Sequence, residues 1–446
     1  MTRPPPPGVL MFDEPKQVTL PPSTNVAIAY AADVARVGRG SISAHDDVWI
    51  ILAHALGRFG FLSDDELRES AAQTADALAV NALAIGLARD SMILRAACAL
   101  RMLHGGTGPV ADTTHHGAVT ELVVATQSVV ADQELSGAFE LAYATLHGLL
   151  SAFGALMPPR MRGNVLSQQG RAVRQLGVMD VARDLYQSAI DLGYESDALD
   201  VVSRALNGMA VIALTRGNYP LARKQFELAL ANAVRANDPD LIRHAHHGLF
   251  NCGFTSGDLD AAMVHGWNVL RLCIAPDSRA EALMNMAEIC RLTGEHDAAM
   301  RVYAVTIEWS SQPRVRLHAM SGALQSAIAV GRIADAHRYA EGIDALLPTV
   351  PDTYTRASVG IEVADSLHRL GNAQAATTRL TEAKALAVEN SFHELVHRAE
   401  QASSVWHVPA LPVEQRAKEG CRKKPHRSED FRTVLRSLNG LTAAAL

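Results

Sequence analysis

Two clusters in this 446-residue chain bring together side chains able to do chemistry. The first is the run HAHHG, which sets His244 and His247 three residues apart and therefore on one face if the segment is helical. Two imidazoles at that spacing can begin a metal site. A zinc ion takes four ligands, however, and other helices would have to bring Asp, Glu, Cys or His to complete it. Neither HExxH nor a paired CxxC is present, so the two histidines read as polar helix positions, and His115 and His116 read the same way. The second cluster is basic: Arg416, Lys418, Arg422, Lys423, Lys424 and Arg427, opposed only by Glu419. Such a run can meet phosphates or an acidic protein surface. It has one aromatic nearby for stacking, Phe431, and it follows a body that leaves the chain at a formal net charge of -6, so a solvated tail is the plainer reading. The signatures of catalysis are missing. No GxxxxGKS/T phosphate loop and no GxSxG nucleophile turn occurs, and the carboxylates are scattered at helix-surface spacing. No catalytic residue, metal or cofactor is expected.

The elements that would position any site are helices. Aromatic residues make up only 5% of the chain, against 48% hydrophobic overall, with Ala and Leu dominant, and this favours helices over strands. The chain is too long for one compact core, so several domains or an extended repeat is expected. Cys98, Cys252, Cys273 and Cys290 lie in apolar helical patterns and read as small buried hydrophobes, whereas Cys421 lies in the polar tail. The opening MTRPPPPGVL lacks the apolar core of a secretory signal, and no stretch approaches the roughly 20 apolar residues of a membrane span. A reduced, cytoplasmic protein is the expectation.

Internal repetition is the strongest pattern. Gly177, Gly217, Gly257, Gly294, Gly331 and Gly371 end one helical pattern and precede the next, at gaps of 40, 40, 37, 37 and 40. Five residues after each glycine stands an alanine: Ala182, Ala222, Ala262, Ala299, Ala336 and Ala376. Nine residues after stand Tyr186, Phe226, Gly266, Tyr303, Ala340 and Leu380, and seven before stand Gly170, Ala210, Phe250, Ala287, Leu324 and Ala364. Small residues are needed where two antiparallel helices approach closely, the glycine closes the first helix in a left-handed conformation, and the aromatic fills the space toward the next pair. No single pair buries its apolar face alone, so the units must stack.

This Gly, Ala, aromatic spacing resembles the tetratricopeptide repeat family, best in QQGRAVRQLGVMDVARDLYQSAI and GMAVIALTRGNYPLARKQFELAL. The period exceeds the family's usual 34, which points to longer helices, as in repeats similar to those of bacterial regulatory proteins. The resemblance implies an all-α, right-handed α-solenoid of stacked antiparallel helix pairs. It also implies that the first helix of each pair lines a concave groove holding a protein or peptide. Projected onto this sequence, the groove positions are Asn164, Gln168, Arg171, Arg174, Arg204, Asn207, His244, His247, Asn251, Asn285, Glu288, Arg291 and Gln325. Asn offers a backbone amide both a donor and an acceptor, and Arg grips carboxylates bidentately.

The expected organisation is a proline-rich disordered leader over residues 1–24, degenerate helical repeats over 25–159, tetratricopeptide-like repeats over 160–389, a capping helix over 390–408, and a basic tail with a short C-terminal helix over 409–446. The leading functional expectation is a non-catalytic adaptor or regulator that binds a protein or peptide. The alternatives are a transcription or signalling regulator whose tail contacts nucleic acid, and a self-assembling scaffold. Oligomeric state is left open. If the repeat register is right, Ala222→Trp overpacks a helix–helix contact and lowers stability by roughly 1–3 kcal/mol or more, read by thermal unfolding.

Overall fold

A computed structural model describes residues 44–84, 92–105, 116–406 and 427–440. The expected leader, the segment 106–115 with His115, and most of the basic run lie outside the described residues. Every regular element among the described residues is helical: α1 (Ala44–Phe59), α2 (Asp64–Ala84), α3 (Met92–Gly105), α4 (His116–Leu135), α5 (Phe139–Phe153), α6 (Pro159–Gln175), α7 (Met179–Glu195), α8 (Leu199–Thr215), α9 (Tyr219–Arg235), α10 (Pro239–Ser256), α11 (Leu259–Leu272), α12 (Pro276–Leu292), α13 (His296–Trp309), α14 (Pro313–Ala329), α15 (Ile333–Leu346), α16 (Thr353–Arg369), α17 (Ala373–Glu389), α18 (His393–Val405) and α19 (Glu429–Asn439). None of them is long and apolar enough to cross a membrane. Chain contacts divide the protein into two compact units, residues 1–245 and 246–446, with the boundary inside α10.

The repeat length follows from helix length. In unit 1, α6, α7, α8 and α9 each have 17 residues and are joined by short turns. At 1.5 Å per residue each helix runs about 25 Å. Gly177 at φ +81° and Gly217 at φ +72° close the first helices of their pairs, and Asp197 at +52° and Asn237 at +53° close the second helices in the same left-handed conformation. Each turn has a Schellman pattern: Val178 N–H donates to Val173 O at 3.2 Å, and Ala198 N–H donates to Gly193 O at 2.8 Å. One further copy precedes those read from the sequence. Gly137, at φ +77°, lies one 40-residue period before Gly177 and is followed by Ala142 five residues on, fully buried. In unit 2, α11, α13 and α15 have only 14 residues. This accounts for the gaps of 37, one helical turn short of 40; a 3-10 turn over Leu347–Thr349 restores the full 40 in the last unit.

Unit 1 begins differently. α2 packs on α3 and α3 on α4, but α1 lies chiefly against α5, four helices further along the chain. The two helices cross at Gly57 and Gly148, where a methyl group on Gly148 would stand 2.6 Å from the Gly57 nitrogen. Phe59 and Phe153 meet edge to face at 6.2 Å beside this crossing. The core of this part runs from Leu52 and Leu56 through Leu100 and Leu122 to Leu149 and Val165.

In three of the pairs a large ring lies against glycine. Tyr186 of α7 is held between Gly170 of α6 and Gly208 of α8, and Tyr303 of α13 lies against Gly322 of α14. In the third copy the sizes are exchanged between the facing helices: Phe250 supplies the ring from α10, and Gly266 of α11 makes room for it, since a Cβ at Gly266 would stand only 3.2 Å from the ring. The aromatic that the sequence pattern loses at Gly266 has therefore moved to the opposite helix. A Cβ on Gly322 would fall 2.3 Å from Cζ of the fully enclosed Tyr303. Gly322→Ala is accordingly expected to lower stability by about 1–3 kcal/mol, and Gly322→Ala combined with Tyr303→Leu to recover part of it. Denaturant midpoints of the two variants check this, and an unaffected single variant would remove the contact.

Candidate functional site

The first helices of the pairs carry the projected polar side chains, of which Arg171, Arg204, His244 and His247 are exposed and the others half-buried. Of the positions projected from the sequence, unit 1 carries Asn164, Gln168, Arg171 and Arg174 on α6, Arg204 and Asn207 on α8, and His244 on α10. Unit 2 carries His247 and Asn251 on α10, Asn285, Glu288 and Arg291 on α12, and Gln325 on α14. They therefore form two sets, each on its own unit.

In unit 1 the row is tied to the preceding first helix. Gln168 Nε2 donates to the Gln127 carbonyl at 3.1 Å. Arg171 grips Glu134 with two nitrogens, Nε donating to Oε1 at 3.0 Å and Nη2 to Oε2. The Glu134 side chain is only 8% exposed, so Arg171 is its counter-charge. Arg174 reaches the hydroxyl of Tyr186; burial raises that hydroxyl's pKa, and Arg174 works against the rise. Arg204 is exposed, while Asn164 and Asn207 are half-buried. The amide oxygens of Asn164 and Asn207 and the Nε of Arg174 have no hydrogen-bond partner within the chain. Among these side chains three guanidinium groups face one carboxylate, which makes the row cationic.

In unit 2 the corresponding row is closed on itself. Glu288 accepts from the Tyr303 hydroxyl at 2.8 Å and from Arg291 through Nε at 2.8 Å and Nη2 at 2.5 Å. Burial, and then the Glu288 carboxylate, hold the Tyr303 hydroxyl well above the usual tyrosine range. Burial acts against the Arg291 charge, but its bonds to Glu288 outweigh this and raise its pKa. Further along, Ser321 donates to Glu362 at 2.7 Å, Gln325 donates to Ser321 at 3.4 Å, and Arg398 spans Ser358 at 3.2 Å and Glu362 at 3.5 Å. Burial pushes His318 below the usual histidine range against the opposing pull of Glu362.

The histidine run resolves differently from its sequence pattern. His244 and His247 are both exposed. His244 Nε2 is 3.0 Å from Arg243 Nη2, and His247 stacks on Phe250 at 6.4 Å. The intervening His246 points elsewhere and meets His265 of α11, Nδ1 to Nδ1 at 3.0 Å, with burial lowering its pKa. His247, Phe250, Gly266 and Asn285 border one small cleft, and Asn251 approaches His247 at 3.5 Å. Among the described residues no three His, Cys, Asp or Glu side chains gather closely enough to hold a metal ion.

Paired helices of this length, closed by left-handed glycines and spaced by a small-residue contact, define the repeat type. The repeats are tetratricopeptide-like. No family model matches the chain, and no curated protein matches it. Among solved structures it is similar to aspartyl phosphate phosphatase F from Bacillus subtilis, at 10% identity and a TM-score of 0.46 over 78% of this chain and 94% of that one. It is also similar to a Rap protein complexed with competence and sporulation factor, at 11% identity and a TM-score of 0.42 over 79% and 99%. A third is the Rap conjugation gene regulator of the plasmid pLS20, solved in complex with a Phr peptide, at 12% identity and a TM-score of 0.41 over 84% and 98%.

Sequence reasoning missed Glu134 and Ser321, which bond projected residues, and Glu362 and Arg398, which continue the network from Ser321. A signal for Glu134 was present: it stands three residues before Gly137, as Arg174 does before Gly177 and Arg291 before Gly294. The Glu288–Arg291 pair, at 20% and 16% exposure, leaves a nearly buried cation if the carboxylate is removed. Glu288→Ala is expected to cost about 3 kcal/mol, and Glu288→Ala with Arg291→Met clearly less. Equal losses in the single and double variants would show that the two side chains are not coupled.

Proposed function

We propose that this protein is a non-catalytic, tetratricopeptide-like adaptor or regulator of the cytoplasm that holds an extended peptide segment of a partner protein on the first-helix face of unit 1. The observation that carries this reading is the pair of Asn164 and Asn207 amides, which lie on neighbouring first helices and whose oxygens have no partner within the chain. A buried polar atom without a partner is costly, and a peptide N–H supplied by a ligand removes that cost. Rotation about the terminal amide torsion, which is broad, turns each oxygen outward. An extended peptide has no internal hydrogen bonds and presents the backbone N–H and C=O groups that an Asn amide can bond together. The cationic balance of Arg171, Arg174 and Arg204 against Glu134 favours a segment carrying acidic side chains. The matching face of unit 2, where Glu288, Arg291, Ser321, Glu362 and Arg398 bond one another, offers less to a ligand.

The alternative of nucleic-acid contact through the basic tail rests on residues outside the described set, except Arg427, which is bonded to Asp260. The unit 1 reading is therefore preferred.

The test is selection of peptides from a random library on immobilised full-length protein, followed by titration against Arg204→Ala combined with Asn207→Ala. Arg171 is left in place because it neutralises Glu134. Selected peptides should be rich in Asp and Glu and should bind the folded double variant at least about 10-fold more weakly, the loss of one or two hydrogen bonds to charged or buried groups. Equal binding by both proteins would move recognition off this face.

A further inference from the structure

The C-terminal helix α19 is separated in sequence from everything it touches. It packs on α11 and α13, the second helices of two successive pairs in unit 2. Its apolar side is narrow: Phe431, Val434 and Leu438 are all buried, Leu435 is half-buried beside them, and the remaining positions are polar. Both ends are held by polar groups of the surface beneath. At the start, Asp260 of α11 accepts from Arg427 Nη1 at 2.9 Å and from the Ser428 backbone N–H at 2.6 Å. The Arg427 guanidinium also lies over the Phe431 ring at 5.2 Å. At the far end, Arg301 of α13 donates to Asn439 Oδ1 at 2.5 Å. Ser428 caps the helix, its hydroxyl accepting from Phe431 N–H at 3.1 Å. The surface thus supplies an anion at the helix N-terminus, where the backbone dipole favours one.

Asp260 is distinctive among its repeat equivalents. Three residues after their glycines, Asp180 and Asp297 are bonded to arginines of the next pair, Arg216 and Arg332, each at 3.1 Å. Asp260 occupies the same position after Gly257, and its bonded arginine is Arg427 of the C-terminal segment. A position that elsewhere links successive repeats is here turned to an incoming helix. Beside the helix, Val264, Trp267 and Asn268 face Thr433 and Ser437 across a cleft of about 170 Å³, so the surface extends past the side chains that α19 buries.

We propose that the ridge formed by α11 and α13 is a second protein-docking surface, built to receive an amphipathic helix of another protein, and that α19 is an internal occupant which such a helix must displace. The chemistry it selects is a basic residue and an N-cap at the start, three apolar side chains at the spacing of Phe431, Val434 and Leu438, and a hydrogen-bond acceptor at the far end for Arg301. An 11-residue helix is too short to persist alone in water. Its occupancy depends on belonging to the same chain, which sets its effective concentration at the seat. A second copy of this chain brings only the same helix and cannot compete below that concentration. A different protein can, by filling the cleft beside Trp267 with a larger side chain.

The experiment uses full-length protein and a fluorescein-labelled peptide with the sequence of residues 427–440. Phe431→Asp unseats α19 and leaves the surface intact; Phe431→Asp combined with Asp260→Arg removes the anchor as well. By fluorescence anisotropy the peptide should bind Phe431→Asp at least about 10-fold more tightly than wild type, which holds its own tethered helix. The double variant should lose that gain. Circular dichroism and thermal unfolding establish that both variants fold, and light scattering establishes mass. A folded Phe431→Asp protein that does not bind the peptide, or that binds no better than wild type, overturns the proposal. So does a wild-type protein that is dimeric at micromolar concentration while Phe431→Asp is monomeric, because α19 would then be exchanged between copies. None of these outcomes depends on the first-helix face of unit 1, so peptides selected for that face should bind wild type and Phe431→Asp alike.

Discussion

The close approach of paired helices through small residues, seated around a large ring at Tyr186, Phe250 and Tyr303, is the contact on which the rest depends. Tyr186 can be enclosed only because Gly170 and Gly208 have no side chains, and Tyr303 only because Gly322 has none. That geometry brings the backbones of a pair together and sets the distance to the next pair. It thereby fixes which turns of each first helix face outward. The polar row on α6 and α8 follows from it: the positions not used for the ring contact, at helical spacing along the same helices, are those left to carry Asn and Arg. The exchange of sizes at Phe250 and Gly266 keeps the contact while reversing which helix supplies the ring, so volume at the crossing matters more than the identity of the helix that fills it.

Polar residues in this architecture are rarely independent of one another. Arg171 is fixed by Glu134, 37 residues earlier, and Glu362 accepts from Ser321, 41 residues earlier. These are contacts between corresponding turns of successive repeats. Their burial makes each one a matter of charge balance, because removing one member leaves the other desolvated. Unit 2 bonds Glu288 to Arg291 and Glu362 to Arg398 within the row, whereas unit 1 leaves the Asn164 and Asn207 amide oxygens without a partner in the chain, and the proposed peptide contact rests on that difference.

The helices and their period could be read in the sequence because both are carried by local spacing: a glycine with positive φ, an alanine five residues on, and an apolar stripe between. The copy at Gly137 was not read from the sequence although Ala142 kept its place and Leu146 stands where the last copy has Leu380. The pairing of α1 with α5 escaped because nothing local marks it; two glycines far apart in sequence, Gly57 and Gly148, meet at the crossing. The polar positions of the first helices were legible in the sequence, and the bonds between them were not. Glu134 and Glu362 lie within helices whose periodicity says only that they are polar, and their partners become apparent only when successive repeats are laid side by side. The seat of α19 belongs to the same class, since an amphipathic helix announces that it will pack and leaves open what it packs on.

The shortening of α11, α13 and α15 by three residues, with Leu347–Thr349 putting three back, bears on how such a chain changes over generations. Three residues are close to one helical turn, so their loss rotates the following segment by only about 60° from its original phase, which the flanking turn can absorb. A single-residue loss rotates it by about 100° and two by about 200°, which carries the alanine and the ring off the crossing. Insertions and deletions are therefore filtered by arithmetic before they are filtered by chemistry. Lengths that survive should cluster at steps of three or four residues, and drift in this protein's repeat number and repeat size is free along that ladder and blocked between its rungs.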